Sequence, residues 1–142
     1  PLLKTNSMNT QPQTIEEQFV PYEIALKLKE LGFTEVCLAC YKDTEGTQKI
    51  FPYVTKEPSN SLCSAPLWQQ VFDWFRERYN HSGEVYVYSS ADLGKWHFDI
   101  EPLKLDGERF TTPVKEGFQT YSLARESCIE KLIEIIENSK KP

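Results

Sequence analysis

The chain has 142 residues, a formal net charge of −5, 39% hydrophobic residues and 13% aromatic residues. That length suits one domain whose core needs no covalent staples, and the aromatic share excludes disorder for the bulk of it. The acidic balance argues against nucleic acid or an anionic membrane as a natural partner, and no apolar run approaches the ~18 residues of a membrane helix.

In chain order, residues 1–7 precede Met8, a plausible native start, and read as a non-native segment or an upstream extension. Residues 1–13 together read as a flexible segment ahead of a single domain over 14–142. No basic region leads into an apolar core at the N-terminus, so no signal peptide is expected and the expected compartment is cytoplasmic. Thr14-Ile-Glu-Glu17 has capping-box spacing. Ile24, Ala25, Leu28 and Leu31 form the apolar stripe of a first helix from about Pro21 to Leu31, closed by Gly32.

Glu35–Tyr41 reads as a strand and Lys42–Gln48 as turn chemistry. Lys49–Val54 is a partner strand, and Pro52 assigns it to a sheet edge because proline cannot donate to a ladder. Thr55–Cys63 reads as a polar loop. Ser64 is the expected N-cap of the central helix, which runs to Tyr79 with Trp68, Val71, Phe72, Phe75 and Tyr79 on one bulky face. Each of those aromatics can bury roughly 150–250 Å², so the rest of the chain is expected to pack on this helix.

Asn80–Gly83 stops the helix. Glu84–Ser89 alternates strictly and is the clearest strand in the chain. Lys95–Ile100 alternates again, with Trp96, Phe98 and Ile100 on one face. Asp106-Gly107 signals a further hairpin, with Glu108–Thr112 as a third strand. The last helix is capped by Thr120 or Ser122, buries Tyr121, Ala124, Cys128, Leu132 and Ile135, and carries a solvated row of Glu126, Glu130, Glu134 and Glu137. The fold expected is α+β: a single domain, an antiparallel sheet and about three helices in the order α-β-β-α-β-β-(β)-α.

Chemistry-bearing residues are few. Cys37 and Cys40 form a lone C-x-x-C on a strand, where residues three apart face opposite ways. Cys63 and Cys128 are isolated, so neither metal nor redox chemistry is expected and the thiols read as buried and reduced. There is no G-x-S-x-G, no phosphate loop and no H-E-x-x-H, so no catalytic residue and no cofactor is assigned. If Val85 and Val87 face the core, Tyr86 and Tyr88 face away, joined by His97 and Asp99 on the neighbouring strand. That polar–aromatic face is the candidate partner-binding site. From Ser64 onward the element order is similar to that of double-stranded-RNA-binding domains. The last helix departs from them, opening Tyr121-Ser-Leu-Ala-Arg-Glu where that family places a basic cluster.

Three stretches, Pro21–Phe33, Ala65–Tyr79 and Tyr121–Ile136, together resemble a family of small uncharacterised bacterial proteins that also occurs in phages and prophages. The resemblance implies a cytoplasmic protein, of a bacterial or mobile-element genome, and carries over no site residue. The function expected is a non-enzymatic interaction module. A protein partner is favoured, nucleic acid is disfavoured by charge, and no membrane is involved. The alternative is a small-molecule-binding protein or small enzyme with a pocket between the sheet and the 55–63 loop.

Overall fold

The computed structural model describes residues 14–55, 62–87 and 95–141. A 3-10 turn over Ile15–Gln18 opens it, and the Glu17 carboxylate accepts from the Thr14 amide at 3.1 Å. Helix α1 (Tyr22–Glu30) follows. It ends in a Schellman motif: Gly32 takes φ +98°, its amide bonds the Lys29 carbonyl, and the Phe33 amide reaches back to Leu28. Phe33 is thereby turned into the core.

Strands β1 (Cys37–Thr44), β2 (Thr47–Thr55) and β3 (Cys63–Ala65) form an antiparallel sheet in the order β2-β1-β3. The expected turn over Lys42–Gln48 is much shorter. Lys42, Asp43 and Thr44 pair with Lys49, Gln48 and Thr47, and only Glu45-Gly46, both at positive φ, make the turn. Pro52 does lie in an edge strand. Ser64, expected to cap the central helix, instead pairs with Cys40 inside β3. Helix α2 (Trp68–Tyr79) starts four residues later behind Leu67.

Asn80, in the left-handed region at φ 58°, ends α2 and launches β4 (His81–Val87) directly. Strand β4 pairs with β5 (Trp96–Pro102), and β5 with the short β6 (Phe110–Thr111). One expected sheet is therefore two three-stranded sheets. Thr120 caps α3 (Tyr121–Ser139), its hydroxyl accepting from the Leu123 amide at 3.2 Å. Helix α3 packs on β4 and β5, α2 on β4, and α1 on β3.

One apolar core runs through all of this, from Val20 and Leu28 through Phe75 to Ile100, Ile129 and Leu132. Trp74 is its aromatic hub, with Phe33, Phe75 and Tyr79 each at 5.1 Å in edge contact, a geometry that adds about 0.5–1.5 kcal/mol per pair beyond area burial. All four cysteines are buried and free. No helix among the described residues is long and apolar enough to cross a membrane.

Candidate functional site

The expected partner face is only partly open. Tyr86 and His97 are register partners on β4 and β5, their rings stacked at 6.1 Å, and the Tyr86 hydroxyl donates to Asp99 Oδ1 at 3.0 Å. Tyr86 and Asp99 are half-buried, whereas His97 is 0% exposed, which corrects the expectation of an exposed imidazole. The reason lies outside the β4–β5 hairpin. Phe118 bridges Trp96 antiparallel, which sets Gly117 beside His97. A Cβ on Gly117 would lie 2.8 Å from His97 Nε2. Tyr88 lies outside the described residues, as does the 56–61 part of the loop expected to border a pocket.

A different concavity is a cleft of about 620 Å³. That volume falls within the ~300–1,000 Å³ usual for small-molecule sites. Three elements build it: the 3-10 turn with Glu16 and Glu17, the β1–β2 hairpin with Tyr41 and Lys49, and the first turns of α3 with Ser122, Arg125 and Glu126. Trp68, at the start of α2, forms part of its lining.

Local hydrogen bonding fixes these walls. The Val20 amide bonds the Pro66 carbonyl and Phe19 bridges Leu67, tying the 3-10 turn to the entrance of α2. The Tyr41 hydroxyl donates to the Val20 carbonyl, and the Tyr22 ring meets Tyr41 edge-on at 5.5 Å. The Glu17 carbonyl is a shared acceptor, taking Trp68 Nε1–H at 2.9 Å and Arg125 Nη2–H at 3.4 Å.

Arg125 is the unusual member. It is 9% exposed, and its guanidinium lies 4.2 Å from the Trp68 ring centre and 5.2 Å from that of Tyr121. Among the described residues no carboxylate comes within the 4.0 Å of an ion pair with it, and its Nε has no hydrogen-bond partner. Burial pulls its pKa down, opposed in part by Tyr121, Glu126 and Glu17. Glu126 is shifted the other way: burial first, then Glu130 and Glu23, push its carboxyl up. The cleft gathers charges of both signs, Arg125 and Lys49 against Glu16, Glu17 and Glu126.

Cys37, Cys63 and Cys128 are poorly suited to act as nucleophiles. Burial raises the Cys37 and Cys63 thiols to about 11 and the Cys128 thiol further, which keeps them protonated at neutral pH. Among the described residues no group of three or more His, Cys, Asp or Glu could hold a metal ion.

Patterning does not single out Arg125 or Trp68 as site residues. It assigns Trp68 to the core face of the central helix and leaves Arg125 as one cation in the opening of the last helix. A signal did exist. Position 125 lies four before Ile129 and seven before Leu132, inside the apolar stripe, and a charge on that stripe is the irregularity to pursue. The fold and cleft define a small α+β domain with two antiparallel sheets and a charged, aromatic-floored cleft. No family model, curated protein or solved structure matches the chain.

Proposed function

We propose that the protein is a non-enzymatic, cytoplasmic binding module whose recognition site is the Arg125 cleft, and that its ligand is a small molecule. One observation carries this reading: Arg125 is nine-tenths buried at the cleft, its guanidinium 4.2 Å from the Trp68 ring centre and 5.2 Å from that of Tyr121, with no carboxylate ion-paired to it among the described residues. Buried charges in folded proteins are normally paired, because holding an ion out of water without a counter-ion costs several kcal/mol. A ligand with an anionic group would supply the missing partner. Free thiols with raised pKa values fit a reducing compartment and an inert role.

The protein- or nucleic-acid-binding reading at Tyr86 and Asp99 is weaker. His97 is buried there, and a net charge of −5 opposes phosphate binding. The test is a fragment screen followed by amide and indole NMR correlation spectra, with Trp68 assigned by Trp68→Phe. Hits should shift the Trp68 indole N–H and the first turn of α3. Hits that cluster on Tyr86 and Asp99 and leave Trp68 unmoved would reject the cleft and restore the sheet face.

A further inference from the structure

Resting on that reading of the cleft, we propose that its ligand is a small zwitterion, a molecule with one carboxylate and one ammonium group on a short apolar frame, of the type of a free α-amino acid or dipeptide. The under-satisfied guanidinium of Arg125 selects a carboxylate, since its planar fork matches that group in a way a point charge does not. Ser122 lies beside it in the first turn of α3, where the helix dipole also favours negative charge.

A purely anionic ligand does not fit the rest of the lining. Glu16, Glu17 and Glu126 outnumber Arg125 and Lys49, so a phosphate or dicarboxylate would meet net repulsion. Glu126 lines the same cleft as Arg125 and offers a carboxylate to an ammonium group. A purely cationic ligand fails for the mirror reason, because it leaves Arg125 buried and unpaired and adds a like charge. Phe19, Tyr41 and Ile50 also line the cleft and offer an apolar and aromatic wall for the frame.

The test titrates the Trp68 indole signal with a panel of free α-amino acids, then compares L-phenylalanine with N-acetyl-L-phenylalanine, which lacks the ammonium, and phenethylamine, which lacks the carboxylate. At least one amino acid should bind, and removing either charge should weaken binding 10-fold or more, about 1.4 kcal/mol by the RT ln 10 conversion. Arg125→Met should erase the preference for phenylalanine over phenethylamine. Glu126→Gln should erase the preference over the acetylated form. Arg125→Lys, which keeps the charge and loses the fork, should fall between wild type and Arg125→Met. Equal binding of either half-charged analogue overturns the zwitterion and leaves the cleft in place. A silent amino-acid panel also overturns it, and if the fragment screen misses the cleft as well, the cleft reading falls with it.

Discussion

Gly83 is a tight contact between a strand and two helices of the core. It lies in β4, facing α2 and α3, and its backbone φ is not in the positive region, so space alone limits substitution. A Cβ there would lie 2.8 Å from Cys128 Sγ, 3.1 Å from Phe72 Cε1 and 3.2 Å from Leu132 Cδ1. All three side chains are buried on helices fixed by the rest of the core. Overpacking of this kind costs about 1–3 kcal/mol, while replacing a flexible glycine returns about 0.4–1 kcal/mol through the unfolded chain. Gly83→Ala should therefore destabilise by about 1–2 kcal/mol, read as a lower urea midpoint at unchanged slope by tryptophan fluorescence. The closest contact is one sulfur atom, so Cys128→Ala should relieve the clash. The double variant should be less destabilised than the sum of the singles, with a coupling of about 1 kcal/mol. Strict additivity, or a neutral Gly83→Ala, would refute the packing of β4 against α3 described above.

Three further outcomes follow from the same geometry. Gly117→Ala would push a Cβ to 2.7 Å from Lys95 Cβ and 2.8 Å from His97 Nε2, so it should lower the thermal midpoint and shift the His97 ring signals in NMR; an unchanged His97 spectrum would contradict the placement. Stability should decline as pH rises from about 9 to about 11. Cys37 and Cys63 titrate near 9.0 when unfolded and near 11 when folded, so the native state retains protons that the unfolded chain sheds; Tyr41 and Cys128 act in the same direction, and a midpoint flat across that window would refute the raised thiols. Glu126 has its folded pKa raised, so its contribution to stability falls as pH climbs past its ordinary 4.5. Glu126→Gln should raise the thermal midpoint at pH 7 and lose that advantage below pH 4.5, which differential scanning fluorimetry across pH would show.

Much of the fold is legible because it is written in local periodicity. The stripe Trp68, Val71, Phe72, Phe75 and the run Ala124, Cys128, Leu132 specify their helices wherever they pack. The alternation of Val85, Trp96, Phe98 and Ile100 assigns the core face of β4 and β5, and Phe98 and Ile100 are indeed buried. Val87, placed on the same face, is 45% exposed. What escaped is non-local. Cys63–Ala65 is a strand only because β1 offers it Ala39, Cys40 and Tyr41 as partners. The polar tip Lys42–Gln48 has turn composition, yet cross-strand pairing extends the ladder to Thr44 and Thr47. His97 alternates with core residues, which assigns it to an outer face, but its lateral neighbour Gly117 is twenty positions away. The cleft draws on residues from 16 to 126, so no window of sequence contains it.

Whether Arg125 is kept for recognition or for the fold is open to one direct measurement, the unfolding free energy of Arg125→Met against wild type. The substitution forfeits two cation–π contacts, worth about 0.5–2 kcal/mol each, and one long hydrogen bond to Glu17. It also removes a buried charge that has no ion-paired carboxylate among the described residues, and so relieves the desolvation cost of several kcal/mol that a buried ion carries. A variant as stable as wild type or more so, with ligand binding lost, is the result expected of a charge held for a ligand. A loss of more than about 2 kcal/mol would make Arg125 a structural residue and contradict the assignment of the cleft.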